Sequence, residues 1–321
     1  MRNFKRILLP VVLILTIAAV NLGLNYALIP YSYVRIMMHQ IQTEEYDTVF
    51  LGTSHGLNGI SPKVITEKTG KNAVNLSLGG EYPRDAYYLL KQVCEKKKPE
   101  RVVYELDPGY WCTPEGQRGD FNRIFYEMPA SLTKVEYFFA KERELDFRAA
   151  LFPWFYYRGQ FRDMKEIIQV KQGEDYKNYG TAAFWDGGQE FADGFLRNTP
   201  VPGMKEEKDL VLWKEADRNE DSFRYFEKLA SFCKKRNIEL IVVTTPVPAE
   251  TLEKYAKEFQ EADAFFQEYL ERLGLEYWNY NCTERKIADF DYSLNAFTDY
   301  EGHMNVQQAE AFSAQLAEDL W

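Results

Sequence analysis

The sequence has few cysteines, few histidines and a shortage of positive charge, and each of these excludes a class of function. Its four cysteines are too few for a disulfide scaffold and lack CxxC spacing, so one or two bridges and burial as free thiols both remain open. No His or Cys pairs occur at metal-ligand spacing, and no metal, nucleotide or organic cofactor is expected. The 39 Lys and Arg residues against 49 Asp and Glu residues give a net charge of −10, which argues against a nucleic-acid partner.

The composition is otherwise that of a foldable globular chain, because 45% of the 321 residues are hydrophobic and 16% are aromatic. This length allows two domains, but α/β folds of more than 250 residues often form a single unit. We therefore expect one large domain that carries an insertion.

Residues 7–29 form the one long uncharged stretch near the N-terminus, and as a helix they would extend about 34 Å, enough to cross a bilayer. Arg2, Lys5 and Arg6 precede this stretch, so the positive-inside rule places residues 1–6 in the cytoplasm and residues 30–321 outside. The prediction is a single-pass cell-membrane protein with an extracellular domain. A cleaved signal peptide is the main alternative, and it also exports the protein.

Strand-like and helix-like segments alternate along the rest of the chain. This alternation predicts an α/β fold with a doubly wound, flavodoxin-like parallel sheet of five strands and helices on both faces. Ligands of such sheets bind at the carboxyl ends of the strands. The predicted strands are 46–52, 72–80, 101–106, 238–246 and 275–280, and the predicted helices are 61–70, 84–98, 221–237, 249–274 and 305–320.

A large aromatic-rich insertion without clean periodicity separates the third and fourth strands, at about residues 110–217. Its 108 residues include 22 aromatic ones, against 28 in the other 213, and residues 152–161 are the densest cluster. Aromatic side chains suit an irregular core, a lid over a substrate or a surface that faces a membrane, and all three interpretations remain open.

Ser54 follows the first predicted strand in the sequence GTSH (52–55), where a doubly wound sheet can expose a nucleophile. An ordinary turn or helix-capping serine is the alternative. Of the three histidines, His39 lies beside the apolar run and His55 adjoins Ser54, where we expect it to shape the pocket. His303 lies in the loop before the last helix, at the same predicted sheet edge as Ser54, and is the candidate base.

Three segments together resemble the SGNH (GDSL-like) hydrolase superfamily: GTSH at 52–55, NLSLGG at 75–80 and DYEGHMN at 299–305. The resemblance implies that Ser54 is the nucleophile, His303 the base and Asp299 the acid that orients the base. It also implies an oxyanion hole built from the backbone N–H groups of Ser54 and of Gly79 or Gly80.

The chain departs from the superfamily pattern at two places. The acid commonly stands three residues before the histidine, but Asp299 stands four before, so Glu301 and Asp291 remain alternatives for the acid. The block Gly-x-Asn-Asp is missing, and Asp107 lies near that place, where an ionised carboxylate cannot donate a hydrogen bond. The third oxyanion donor is therefore unassigned, with Asn58 as a candidate. Asn305 is expected to cap the last helix.

The resemblance extends most closely to membrane-anchored members that modify envelope polymers, such as the D-alanyl transfer protein of teichoic acids and the alginate O-acetyltransferases. It implies a serine O-acetyltransferase or esterase that acts on a cell-surface glycan or teichoic-acid-like polymer through an acyl-Ser54 intermediate. It also implies a membrane-bound O-acyltransferase as a partner. The alternative is a catalytically inactive protein of the same fold that binds envelope polysaccharide.

Overall fold

The computed structural model describes residues 2–115, 121–141, 148, 151–184, 188–203, 205 and 210–321. Five parallel strands form the main sheet in the order β2-β1-β3-β6-β7, and β4 pairs with β5 in a small antiparallel sheet. The main sheet confirms the predicted doubly wound, flavodoxin-like topology. The strands are β1 (Thr48–Leu51), β2 (Ala73–Asn75), β3 (Arg101–Glu105), β4 (Gln189–Ala192), β5 (Phe195–Asn198), β6 (Glu239–Thr244) and β7 (Glu276–Asn279).

The helices of the described residues surround this sheet and build the insertion. They are α1 (Arg2–Leu28), α2 (Tyr33–Thr43), α3 (Ser54–Gly59), α4 (Pro62–Thr69), α5 (Pro83–Val93), α6 (Phe121–Glu127), α7 (Leu132–Lys141), α8 (Pro153–Tyr156), α9 (Met164–Gln172), α10 (Glu174–Lys177), α11 (Glu220–Arg236), α12 (Ala249–Lys254), α13 (Ala256–Leu273) and α14 (Val306–Leu320). Short 3-10 turns occur at Pro108–Cys112, Tyr157–Arg162, Ala182–Phe184, Glu215–Asp217, Thr283–Arg285 and Leu294–Ala296.

The sheet buries both of its faces, as a parallel sheet must, because its helices pack on either side. Alternate side chains of a strand point to opposite faces, so Val49 of β1 joins the core under α5, α11 and α13, and Phe50 joins the core under α4 and α14. The 3-10 turn after β3 contributes Trp111, which is fully buried among the aromatic rings of α11 and α13. The start of the insertion therefore belongs to the main core.

Three predicted elements differ from those observed. The strand predicted at 72–80 is only Ala73–Asn75, and where it ends the Asn75 side chain accepts the Ser77 N–H at 3.0 Å. The helix predicted at 84–98 ends at Val93, and turns follow it in which the Lys96 N–H donates to the Val93 carbonyl at 3.1 Å. The helix predicted at 249–274 is divided at Tyr255, whose φ of −117° and ψ of 33° are not helical.

Helix α1 contains Leu8–Leu28, which is long and apolar enough to cross a membrane. Only its last two residues, Ala27 and Leu28, are buried in the protein. By length and composition it could be a membrane anchor or a signal sequence. All four cysteines are free thiols, so no disulfide joins them in this structure.

Helix α13 ends at Gly274, which has a φ of 68° that favours glycine over any residue with a Cβ. We expect Gly274→Ala to lower the free energy of unfolding by about 1 kcal/mol. Chemical denaturation of the full chain would measure the loss. The matched control is Gly159→Ala, because an added methyl there meets no atom within 4 Å. Equal stability of both variants would contradict a conformational role for Gly274.

Candidate active site

Ser54 is the first residue of α3 and follows a tight turn at the carboxyl end of β1. Thr53 caps α3, and its side chain accepts a hydrogen bond from the His55 N–H. Gly52 has a φ of 151°, and a Cβ on it would lie 2.6 Å from the Glu105 Cβ. Only glycine fits here, and its close contact with β3 fixes the position from which the chain presents Ser54.

Ser54, His303 and Asp299 form a continuous chain of hydrogen bonds. The Nε2 atom of His303 lies 2.7 Å from the Ser54 Oγ, and its Nδ1 atom lies 2.6 Å from the Asp299 Oδ2. The other carboxylate oxygen of Asp299 accepts the backbone N–H groups of Gly302 at 3.0 Å and of His303 at 3.2 Å. The carboxylate is therefore fixed by three donors, and the imidazole is fixed at both nitrogens.

The local fold of the 297–304 loop explains why a spacing of four residues brings this acid and histidine together. Phe297 and Met304 form an antiparallel bridge, and the Thr298 N–H donates to the His303 carbonyl at 2.7 Å. Between them, Gly302 adopts a φ of 113°, a conformation that side-chain-bearing residues rarely adopt. This turn accommodates the extra residue and returns His303 to Asp299.

The two alternative acids lie elsewhere. A Glu301 carboxylate oxygen is 3.9 Å from the His303 Nδ1, beyond hydrogen-bond distance. Asp291 accepts the Ser293 N–H at 2.8 Å, within its own loop. Of the three candidates, the structure brings only Asp299 into hydrogen-bond contact with His303.

The electrostatics of the site pair an ionised acid with a base of increased proton affinity. Burial opposes ionisation of Asp299, but its hydrogen bonds to the His303 ring and to backbone N–H groups lower its pKa to about 2. Burial also lowers the pKa of His303, but the adjacent Asp299 carboxylate outweighs it and the net shift is upward. Burial and the neighbouring His303 lower the pKa of His55 to about 4, so His55 is neutral at pH 7.

The residues predicted to form the oxyanion hole take different positions. Gly79 lies beside the nucleophile, since a Cβ on it would stand 3.9 Å from the Ser54 Cβ. Gly80 completes the turn in which the Glu81 N–H donates to the Leu78 carbonyl at 3.0 Å. Asn58 is buried, and its amide donates at 2.7 Å to the carbonyl of Ser54. The Asn58 amide therefore stabilises α3 itself. The third oxyanion donor remains unassigned.

His55 and His39 have separate environments. The His55 ring meets the His303 ring edge to face, with centroids 5.0 Å apart, and lies beside the base. The His39 ring stacks on Tyr179 of the insertion at 3.6 Å. Among the described residues, no group of three or more His, Cys, Asp or Glu side chains is arranged to hold a metal ion.

A cavity of about 50 Å³ opens beside the triad, and its wall is mainly apolar. Asp107, which accepts the Gly109 N–H at 2.9 Å, contributes one of its few charged groups. The lining side chains come from the ends of β3 and β6, from α13 and from the last part of the insertion: His55, Leu106, Asp107, Pro108, Tyr110, Leu210, Val211, Leu212, Thr244, Val247, Phe259 and Glu301.

Two supporting residues had not been predicted. Glu105, fully buried at the end of β3, accepts the Thr53 N–H at 2.7 Å and the Thr53 hydroxyl at 2.9 Å through one oxygen. Asn198 of β5 donates to the Asn58 side chain at 2.6 Å and to the Met304 carbonyl at 3.1 Å. The first residue secures the serine turn, and the second joins α3 to the histidine loop.

The buried carboxyl group of Glu105 predicts a pH-dependent stability. Burial, with the nearby charge of Asp107, raises the pKa of Glu105 to about 8, whereas an unfolded chain leaves it near its ordinary value. The folded state therefore holds a proton that the unfolded state releases, and this contribution to stability is lost as pH rises from roughly 4.5 to 8. Glu105→Gln should flatten the fall of the melting temperature over this range.

The control for this experiment is Glu227→Gln, which changes an exposed glutamate on α11. We expect its melting temperature to follow the wild-type pH dependence. If Glu105→Gln also followed it, the proposed protonation of Glu105 would be wrong.

Comparison with known proteins gives limited information. No family model matches the chain, and no curated protein matches it. Among solved structures, a GDSL-like lipase from Bacteroides thetaiotaomicron is similar at 11% identity and a TM-score of 0.40, covering 92% of this chain and 100% of the lipase. A protein from Bacteroides fragilis described as a candidate acylhydrolase is similar at 10% identity and a TM-score of 0.39. The match covers 88% of this chain and 94% of that protein. Neither likeness assigns a function to this chain.

Proposed function

We propose that this protein is a serine acyl-transfer enzyme that works through an acyl-Ser54 intermediate. The observation that carries the proposal is the unbroken hydrogen-bond chain from the Ser54 Oγ through the His303 imidazole to the Asp299 carboxylate. A hydroxyl, a base and an acid that orients the base are the groups needed to activate a serine nucleophile.

In the first half-reaction, the Ser54 Oγ attacks the carbonyl carbon of an ester while its proton passes to the His303 Nε2. The negative charge that develops on the carbonyl oxygen is stabilised by the backbone N–H groups of Ser54 and Gly79. As the tetrahedral intermediate collapses, the C–O bond of the leaving alcohol breaks and His303 returns the proton to that alcohol. Asp299 stabilises the imidazolium throughout without accepting its proton.

In the second half-reaction, a hydroxyl group of the acceptor attacks acyl-Ser54 while His303 takes its proton. As this intermediate collapses, the bond between the acyl carbon and the Ser54 Oγ breaks, His303 returns the proton to that oxygen, and the acylated acceptor is released. Water as the acceptor gives an esterase, and a sugar hydroxyl gives a transferase. The catalytic groups are the same in both cases, so the acceptor that the site positions determines which reaction prevails.

The alternative of an inactive glycan-binding protein required the extra loop residue to separate the acid from the histidine. The Asp299 Oδ2 lies 2.6 Å from the His303 Nδ1, so the extra residue does not separate them. The catalytic proposal is therefore preferred.

For the cellular setting, we propose an anchored enzyme with residues 1–6 in the cytoplasm and residues 30–321 outside the cell. The apolar length of Leu8–Leu28 supports the anchor. The acyl group we propose is acetyl, the acceptor is a cell-envelope glycan or teichoic-acid-like polymer, and the partner is a membrane-bound O-acyltransferase. These three assignments rest on the family resemblance of the sequence motifs.

Covalent labelling by a fluorophosphonate probe tests the nucleophile directly. The full chain in detergent should be labelled, and Ser54→Ala and His303→Ala should reduce labelling to background because one lacks the nucleophile and the other the base. Ser231→Ala, at an exposed position of α11, is the matched control and should be labelled like wild type. Persistent labelling of folded Ser54→Ala would refute the assignment.

The pH dependence of labelling tests the role of Asp299. His303 accepts a proton only when neutral, so labelling should fall as pH falls through its raised pKa, above 6.5. Asp299→Asn removes the charge that raises this pKa, and the midpoint should move to lower pH. The maximal rate should also fall, by up to about 10⁴-fold, because the tautomer is no longer fixed. An unchanged midpoint would show that Asp299 does not act on His303.

A further inference from the structure

The aromatic-rich insertion is bound to the end of the apolar helix α1. Two asparagines, one helical turn apart and therefore on the same side of α1, face it. The Asn25 Oδ1 accepts a hydrogen bond from the backbone N–H of Trp154 at 2.9 Å, and the Asn21 Nδ2 donates to the Leu151 carbonyl at 3.4 Å. These contacts give the only two asparagines of α1 beyond its first turn a partner in the folded domain.

Lys171 of α9 binds backbone carbonyl groups at the carboxyl end of α1. Lys171 as a residue is buried, and its Nζ atom donates to the Tyr26 carbonyl at 2.8 Å and, more weakly, to the Asn25 carbonyl at 3.5 Å. The last carbonyls of a helix lack intrahelical partners, and leaving them unpaired near hydrocarbon is costly. The insertion therefore supplies the C-terminal cap of α1.

Contact continues beyond the end of α1. The Tyr31 hydroxyl donates to the Gly180 carbonyl at 2.9 Å, and the Arg35 guanidinium lies over the Tyr176 ring at 4.3 Å. The connection from α1 to α2 is thus fixed against the insertion, and α1 does not behave as a free tether.

These contacts define the depth of the insertion relative to the apolar helix. Asn21 is seven residues before Leu28, which corresponds to about 10 Å along a helix at 1.5 Å per residue. If Leu8–Leu28 crosses a bilayer, Leu151 lies about 10 Å inside the end of the span. Trp154, bonded to Asn25, lies about 5 Å inside it. This is the depth that interfacial helices occupy in the headgroup and upper acyl region.

The side chains around this point suit such a depth. We define residues 151–162 as the interfacial segment. Leu151, Tyr156 and Phe161 in it are 57%, 52% and 63% exposed, an unusual exposure for large apolar groups. Arg158 is exposed as well, and its guanidinium lies over the Phe155 ring at 4.5 Å. Aromatic rings beside arginines are typical of the membrane–water boundary, where the rings enter the interface and the cations meet phosphate.

We propose that the interfacial segment is a second membrane-binding surface, which lies in the headgroup region of the leaflet in which α1 ends. The ligand is the lipid surface itself. The apolar helix is accordingly a permanent part of the fold, not a signal peptide that is removed, because its cleavage would leave Lys171 and the Trp154 N–H without these partners. The proposal rests on α1 being inserted, as in the proposed function, but not on any catalytic role of Ser54.

The test uses the full chain reconstituted in vesicles of phosphatidylcholine and phosphatidylglycerol. Phe161→Trp and Tyr156→Trp each place a fluorophore in the interfacial segment. Val201→Trp is the matched control, because Val201 is 50% exposed but follows β5, outside the segment. Lipids brominated near the headgroup end of their acyl chains quench tryptophan at shallow depth, and lipids brominated near the terminal methyl quench at the bilayer centre. Each added signal is measured by difference from the parent chain in the same vesicles.

We expect the lipids brominated near the headgroup to quench the added emission of Phe161→Trp and Tyr156→Trp more than the lipids brominated near the terminal methyl do. Neither lipid should quench the added emission of Val201→Trp. Equal quenching of the segment and control variants, at melting temperatures equal to that of the parent, would overturn the proposal. An intact mass that lacks the apolar helix after purification from membranes would also overturn it. None of these measurements depends on Ser54 reactivity, so failure here is distinct from failure of the labelling experiment.

Discussion

The hydrogen bond between Ser54 and His303 joins residues 249 positions apart, and the structure around it serves to hold that one contact. Parallel strands bring their carboxyl ends to one edge of the sheet, so the turn after β1 and the loop before α14 meet there. A hydrogen bond requires its two atoms to be placed within a few tenths of an ångström. Topology alone does not give that precision, and close contacts on each side of the bond supply it.

On the serine side the precision comes from Gly52 and Glu105. The turn approaches β3 so closely that no Cβ fits on Gly52, and Glu105 binds Thr53 through both its N–H and its hydroxyl. On the histidine side, Asp299 binds the ring and two backbone N–H groups of the same loop. In each case one carboxyl group fixes one turn. The two carboxyl groups differ in their pKa because the His303 ring beside Asp299 favours the ionised form, whereas Glu105 is fully buried and faces the negative charge of Asp107.

Sequence reasoning predicted the sheet and the identity of the groups now found together, because strand and helix periodicities are local and only His303 lay at the right edge of the predicted sheet. The spacing of four residues between Asp299 and His303 departs from the family pattern, and the sequence alone did not show how the two side chains could meet. The positive φ of Gly302 in the loop between them explains it. Glu105 and Asn198 could not be predicted, because their roles depend on contacts across the sheet and into the insertion. The length of β2 was also overestimated, because the apolar pattern continues past Asn75, where the Asn75 side chain accepts the Ser77 N–H and the strand ends.

The insertion contacts both the active site and the apolar helix, and this has a geometric consequence. At one end, Asn198 joins α3 to the histidine loop, and at the other, Lys171 and the backbone of Trp154 bind the last turns of α1. A flexible linker would let the catalytic domain sample many distances from the bilayer. Contacts on successive turns of α1, followed by those of Tyr31 and Arg35, restrict this freedom. If α1 spans a bilayer as proposed, a site held in this way would meet substrates at one height above the membrane, which would favour a polymer or acyl donor presented at that height over one diffusing in solution.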